Sequence, residues 1–132
     1  MKKSGQIVLF RFLQTDQTQG NLRPALLIGQ LPGEYDDWLI CMISSQLRHY
    51  IKGFDEIIDN NSPDFSRSGL KKASLIRIGR LAVADKNILI GTIGEISLER
   101  LRNIKEKLAG WLLKITLCAT FYPRYEALPR NT

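Results

Sequence analysis

The spacing of apolar residues divides the chain into two parts with different periods. Up to residue 93, short apolar and β-branched runs alternate with polar turns, a pattern that predicts strands. The predicted strands are Ser4–Phe12, Pro24–Ile28, Trp38–Ser44, the short Phe54–Ile58, Ser74–Val83 and Ile88–Ile93. The turn ADKN predicts a hairpin between the last two strands, and Gly79 predicts a bulge or bend within Ser74–Val83.

After residue 96 the apolar residues recur at steps of three and four, which predicts an amphipathic helix over Ser97–Leu113 with Ser97 as its N-cap. The pattern stops there, so we expect residues 1–113 to form one domain and residues 114–132 to be an appended tail of uncertain order. Short strands followed by one helix predict a mainly β fold, a small, strongly curved barrel or sheet with the helix over one side.

Composition narrows the possible partners. The 132 residues include 19 Lys and Arg against 13 Asp and Glu, and this net charge of +6 favours a polyanionic partner, nucleic acid above all. No apolar run is long enough to span a membrane. The amino-terminal apolar stretch is broken by Arg11 and lacks a cleavage site, so we do not expect a signal peptide.

Metal and cofactor chemistry is not expected either. The two cysteines, Cys41 and Cys118, form no CxxC motif, and there is a single histidine, which argues against a zinc site. Cys41 lies in an apolar run and is predicted to be a small buried hydrophobe in a reducing cytoplasm. We therefore predict a cytoplasmic protein with no metal and no cofactor.

Four segments of the chain stand out in a fixed order: GQIVLFRF, LRPALLI, CMISSQL, and GLKKASLIRIGRL followed by IGEISLERLRNIKEKLAGWL. This ordered set resembles the MazF/PemK family of toxin–antitoxin ribonucleases. The resemblance covers about residues 4–113. It implies an SH3-like small β-barrel of the MazF/PemK/CcdB type with a carboxyl-terminal helix, working as a homodimer. It also implies metal-independent cleavage of single-stranded RNA, through attack of a ribose 2′-hydroxyl on the adjacent phosphate, and a cognate antitoxin that blocks the site.

The resemblance also implies catalytic residues. Arg23, at the head of the apolar strand LRPALLI, corresponds to the family's catalytic arginine, and its planar guanidinium matches phosphate oxygens. Ser44 stands where the family has a catalytic threonine, and Arg77 matches a second arginine found in some members. Those members carry an acid two residues later, where this chain has Gly79. If that acid is the general base in those members, Asp16, in the loop before Arg23, is a candidate for the base here.

A second group of residues is predicted to bind the RNA. Ser45 could donate to a phosphate, and the segment from Phe65 to Ala84 carries several cations without an acid, as expected of a track for an RNA backbone. The predicted RNA-binding residues are Ser45, Asp16, Lys71, Lys72 and Arg80. Stacking platforms for bases could come from Tyr50, Phe54 or Phe65 in the loops.

Simpler interpretations stay open. Arg23 could pair with an acid such as Asp37, Ser44 and Ser45 could merely satisfy turn backbone, and His49 is more consistent with a solvated loop than with acid–base catalysis. For the whole protein, one alternative is a degenerate member that binds only nucleic acid or antitoxin. Another is a toxin of the same fold that inhibits a protein such as DNA gyrase through its carboxyl-terminal residues.

Overall fold

A computed structural model describes residues 2–12 and 21–119, which form a six-stranded sheet with a carboxyl-terminal helix. The strands are β1 (Gln6–Phe12), β2 (Asn21–Gln30), β3 (Asp37–Ser44), β4 (Glu56–Ile58), β5 (Ser74–Asp85) and β6 (Leu89–Glu95). The helices are α1 (Phe65–Ser68) and α2 (Leu98–Ala119), and Leu47–His49 forms one 3₁₀ turn. Each predicted strand is present, and the prediction of a mainly β fold with a carboxyl-terminal helix is confirmed.

All strand pairs are antiparallel, in the order β4-β5-β3-β2-β1-β6. Because β6 pairs with β1, the predicted hairpin between β5 and β6 is wrong. A short connection permits a hairpin but does not require one. The observed pairing instead buries Leu89 in one apolar cluster with Val8 and Phe10 of β1.

The central strands are buried on both faces, which explains their nearly continuous apolar sequences. On one face Ile7, Leu26 and Cys41 pack in a cluster that includes Ile104 and other residues of α2. On the opposite face Val8 belongs to a second cluster. The other buried members of that second cluster are Phe10, Ala25, Leu27, Trp38, Ile40, Ala84 and Leu89. Cys41 is fully buried, as predicted.

A bulge in β5 confirms the irregularity predicted at Gly79. The register between β3 and β5 changes from Met42↔Arg77 to Cys41↔Leu81, so the three residues 78–80 have no partners on β3. Gly79 fits the close packing here, because a Cβ atom would lie 3.2 Å from Cε2 of Phe54. An odd number of inserted residues reverses the alternation of side chains along the strand.

Ser97 is confirmed as the cap of α2, since its Oγ accepts a hydrogen bond from the backbone N–H of Arg100 at 3.1 Å. The helix itself is longer than predicted. It continues beyond Leu113 to Ala119, into the segment expected to be a tail, while residues 120–132 lie outside the described part of the chain.

An ion-pair network fastens α2 to β4 and to the residue before α1. The Arg100 guanidinium donates from Nε to Oδ2 of Asp64 at 2.8 Å and from Nη1 to Oε1 of Glu56 at 2.9 Å. Lys107, two turns further along the helix, donates to the other oxygen of Glu56 at 3.0 Å. The residue after α1 is held against β6, because Gly69 approaches so closely that a Cβ would overlap the carbonyl oxygen of Ile93. These contacts fix the start of the chain segment that carries Lys71 and Lys72.

Candidate active site

The ladder between β2 and β3 begins at Ala25↔Met42. The preceding residue, Pro24, has no N–H to donate, which suits the point where this pairing ends. The same register, continued by two residues, brings Arg23 opposite Ser44. The arginine at the head of β2 and the serine at the end of β3 are thus neighbours.

Two adjoining clefts open at this end of the sheet and share Arg23, Pro24, Ile43 and Ser44. The wide cleft, of about 560 Å³, extends from these residues toward the segment before β5. The narrow cleft, of about 220 Å³, extends across the sheet toward the β5 bulge. The wide cleft is further lined by Leu22, Ser45, Gln46, Leu70, Lys71, Lys72 and Ser74, and the narrow cleft by Phe10, Met42, Arg77 and Arg80.

Every predicted site residue that the structure describes lines one of these clefts or both. Ser45, Lys71 and Lys72 line the wide cleft, and Arg77 and Arg80 line the narrow one, with Arg23 and Ser44 common to both. These residues come from four separate segments of the sequence. Asp16 lies outside the described residues.

The Ser44 hydroxyl already has a structural task. Its Oγ accepts a hydrogen bond from the backbone N–H of Gln46 at 3.0 Å, as the simpler interpretation of this serine required. A hydroxyl that accepts one bond still has its own hydrogen to donate. The hydrogen bond from Gln46 therefore fixes the Ser44 side chain in the cleft and leaves its hydroxyl able to donate to an anion there.

The alternative that Arg23 pairs with Asp37 is wrong. Asp37 begins β3 and Ser44 ends it, and Arg23 lies at the Ser44 end. Seven residues of strand separate the two ends by about 23 Å, far beyond ion-pair distance.

The clefts are strongly cationic. Their described lining contains Arg23, Lys71, Lys72, Arg77 and Arg80 but no acid and no histidine. A concentration of cations without acids is the electrostatic arrangement expected of a site for phosphate groups.

The position that carries an acid in some family members does not face the clefts. The missing Cβ of Gly79 is directed at the ring of Phe54, on the α2 side of β5. On this backbone a carboxylate at position 79 would point away from Arg23. His49 is exposed in the 3₁₀ turn and lines neither cleft.

Two of the three aromatic residues considered as stacking platforms have structural positions instead. Phe54 and Phe65 are partly buried against the cluster beneath α2, and Phe54 lies 6.0 Å, between ring centroids, from Trp111. Tyr50 is 41% exposed. Sequence reasoning missed Gln46, which lines the wide cleft directly after Ser44 and Ser45 in the segment CMISSQL.

Within residues 2–12 and 21–119, no group of three or more His, Cys, Asp or Glu side chains is placed to hold a metal ion. Over the same ranges no helix has the length and apolar character needed to cross a membrane.

Comparison with known proteins first defines the fold. The chain is similar to a chain in the crystal structure of MazE–MazF (Form-II) from Deinococcus radiodurans, with a TM-score of 0.61 and 20% identity. The match covers 84% of this chain and 95% of the other. At this identity the likeness establishes a MazF-type fold, in which the six-stranded sheet is curved like a barrel without being closed.

The family follows from the sequence. Residues 3–112 match the model of the PemK-like, MazF-like toxins of type II toxin–antitoxin systems. The chain belongs to this toxin family, as the ordered segments predicted. None of the curated proteins matches it.

Proposed function

We propose that this protein is a toxin endoribonuclease that cleaves single-stranded RNA without a metal ion. In the proposed reaction a base removes the proton of a ribose 2′-hydroxyl, and O2′ attacks the adjacent phosphorus. The bond from phosphorus to the 5′-oxygen breaks, and that oxygen takes up a proton. The products are a 2′,3′-cyclic phosphate and a 5′-hydroxyl end.

One observation carries the proposal. Residues from four segments, chosen from the sequence as an RNA-cleaving set, line two adjoining clefts at one end of the sheet. Attack on a phosphate diester concentrates negative charge on the phosphorane oxygens, and preorganised cations and hydrogen-bond donors stabilise that charge. The clefts supply both kinds of group.

Each residue has a proposed role. Arg23, common to both clefts, places its guanidinium fork on the phosphorane oxygens. Ser44 donates from its hydroxyl, and Arg77 stabilises the same charge from across the narrow cleft. Ser45, Lys71 and Lys72 bind flanking phosphates, and Arg80 binds RNA phosphate in the narrow cleft, which it lines together with Arg77. The base is proposed to come from Asp16, because the described lining of the clefts contains no acid.

The partners follow from charge and from exposed apolar surface. An antitoxin segment that alternates acidic and apolar residues would suit the cationic clefts and would fold as it binds. A homodimer is supported by the carboxyl half of α2, where Trp111, Leu113 and Ile115 are 42%, 66% and 45% exposed. The proposed location is the cytoplasm, where the RNA and the antitoxin would be available.

The test is an incubation of the purified protein with a long RNA in EDTA. Discrete cuts with cyclic phosphate ends are expected, and they should disappear in the Arg23→Ala variant while that variant remains folded. Intact RNA in the parent reaction would refute the proposal.

The absence of an acid and of a histidine from the described cleft lining favours a second candidate, a degenerate toxin that binds RNA or antitoxin without cutting. The same incubation separates the candidates. Intact RNA that migrates as a complex indicates the binder. RNA that is neither cut nor bound points to a protein target such as DNA gyrase.

A further inference from the structure

A buried carboxylate lies directly behind the β5 bulge. Asp55 is 2% exposed, and both of its oxygens accept hydrogen bonds from backbone N–H groups. Oδ2 accepts from Ile51 at 3.0 Å, and Oδ1 accepts from Ile78, the first residue of the bulge, at 3.1 Å. No ion pair is identified for Asp55 within the described residues, so backbone donors compensate its burial.

The bulge decides where two arginines point. Residues three apart on a regular strand lie on opposite faces of the sheet. Arg77 precedes the bulge and Arg80 ends it, and the reversed alternation brings both into the lining of the narrow cleft. Ile78 between them faces the opposite side, where it is completely buried in the cluster beneath α2.

We propose that Asp55 is a positioning residue, which holds the bulge so that Arg77 and Arg80 bind one phosphate group together. Binding of an RNA phosphate in particular rests on the proposed function, whereas the pairing of the two arginines on one anion does not. Asp55 itself lines neither cleft. It acts through the backbone at Ile78.

Physical reasons link Asp55 to the bulge. Ile78 is 0% exposed, so its N–H has no access to water and needs an acceptor within the protein. Asp55 is that acceptor, and a charged acceptor makes a stronger hydrogen bond than a neutral one. Without it the buried Ile78 N–H would lose its acceptor, and the bulge that brings Arg80 to the same cleft as Arg77 would lose that support.

The first experiment uses Asp55→Asn in RNA cleavage. An asparagine keeps the shape but turns an NH₂ group toward one of the two N–H donors, so one hydrogen bond is lost. Misplacing catalytic groups by about 1 Å costs roughly a hundredfold in rate, and we expect a loss of that order in kcat/KM. The matched control is Asp59→Asn, in the nearby turn. The Asp59 carboxylate accepts a hydrogen bond from the backbone N–H of Asn61 and lies outside both clefts. The control should retain kcat/KM within about threefold.

A double-mutant cycle separates positioning from general damage. If Asp55 acts through the arginines, Asp55→Asn should cost less than about threefold in the Arg77→Ala/Arg80→Ala background. A loss there as large as in the parent would overturn the proposal. If Asp55→Asn does not fold, the cycle between Arg77→Ala and Arg80→Ala still decides, because two arginines on one phosphate must show non-additive losses. Additive losses would contradict the proposal.

The second experiment does not depend on cleavage. Inorganic phosphate is titrated into the ¹⁵N-labelled protein, and the side-chain Nε–Hε signals of Arg77 and Arg80 are followed by NMR. Both signals should move with one apparent Kd in the parent, and in Asp55→Asn that Kd should weaken by about tenfold or the two signals should separate. Signals that move independently in the parent, or identically in parent and variant, would overturn the proposal. Joint movement in a parent that does not cut RNA would refute the proposed function and leave the positioning role supported.

Discussion

At the scale of single residues, Arg23 owes its position to the proline that follows it. Pro24 has a fixed φ and no N–H, and pairing with β3 starts only one residue later. The arginine is therefore anchored by its pairing with Phe10 of β1 while its side chain lies in both clefts. A rigid backbone at the base of a long cationic side chain suits the proposed role, in which the guanidinium stabilises negative charge on the phosphorane oxygens.

Replacing Arg23 tests this role. If its hydrogen bonds strengthen as the phosphorane forms, Arg23→Ala should lower kcat by about a hundredfold or more and change RNA affinity far less. Arg23→Lys should restore only part of the rate, because a point charge cannot reproduce the guanidinium fork. Single-turnover cleavage and RNA binding measure the two effects. Thermal melts must first show that the variants are folded; a folded Arg23→Ala enzyme with the parental rate would refute the assignment.

Burial is expected to suppress the reactivity of the Cys41 thiol. Burial in the core, reinforced by the nearby charge of Asp55, raises the pKa of the Cys41 thiol to about 12. At pH 8 the reactive thiolate should therefore form only about one part in ten thousand of this group. In a Cys118→Ser variant we expect Cys41 to resist a thiol reagent in the folded protein and to react fully in urea. Equal rates in both states would show that the thiol is accessible.

At the scale of elements, a buried ion pair between Arg100 and Asp64 fastens the start of α2 to the residue before α1. Burial alone raises the pKa of the Asp64 carboxyl, but hydrogen bonds from Arg100 and from the Ser97 backbone outweigh it, and the pKa lies below its ordinary value of 3.8. The side chains of Arg100 and Asp64 are only 14% and 2% exposed. Removing one partner leaves a buried charge uncompensated.

Asp64→Asn should thus lower the free energy of unfolding by about 3 kcal/mol near neutral pH. Because the folded pKa is the lower one, this stabilisation is complete above the unfolded pKa and disappears as the pH falls through the folded value. The difference between parent and variant should be constant down to about pH 4 and then shrink. Urea unfolding at several pH values measures it.

A surface ion pair provides the control for that experiment. Lys3 and Glu95 are 3.6 Å apart with side chains 68% and 40% exposed, so Lys3→Ala should cost less than about 0.5 kcal/mol. Similar losses for the two variants would mean that the Arg100 network contributes no more than surface pairs do.

The sequence predicted elements wherever the signal was local. The strands, the Ser97 cap and the bend at Gly79 each depend on a few neighbouring residues. The pairing of β6 with β1 gave no such local signal, because antiparallel pairing is decided by which apolar residues become buried together, here Leu89 with residues of β1. Asp55 and Arg100 gave no signal, since each looks like an ordinary polar residue until distant segments surround it.

The candidate site could be predicted for a different reason. Its residues were found because the family resemblance records which distant segments meet. The resemblance could not indicate that Gly79 faces Phe54 or that Arg80 joins Arg77, because both depend on a three-residue bulge whose length no local pattern specifies.

At the scale of the whole molecule, five cations among the described residues line the clefts at one end of the sheet. The cations of the clefts are accompanied by no acid in the described lining, whereas Glu56 and Asp64 are engaged with α2 on another part of the fold. In a chain with a net charge of +6, this local concentration of cations favours the approach of a polyanion to the clefts.

This arrangement predicts how salt affects RNA binding. Lys71→Ala and Lys72→Ala should each reduce the slope of log K against log salt concentration by about 0.7 and leave kcat at saturating RNA nearly unchanged. Lys105→Ala, an exposed lysine of α2 outside both clefts, is the control and should leave the slope as it is. Filter binding across a salt series gives the slopes. A slope that is insensitive to both cleft lysines would exclude them from the RNA track.

The exposed apolar end of α2 yields the last prediction, on assembly. Leu113 is 66% exposed in the single chain, and a second copy would cover it in the proposed homodimer. Leu113→Glu should therefore leave the monomer folded but separate the dimer, since it places a charge in an apolar interface. Leu98, 82% exposed at the other end of the same helix, provides the control as Leu98→Glu. Sedimentation at micromolar concentration should give twice the 15.0 kDa chain mass for the parent and for Leu98→Glu, and the single mass for Leu113→Glu. A parent that sediments as a monomer would refute the homodimer, and a dimeric Leu113→Glu variant would place the interface elsewhere on the surface.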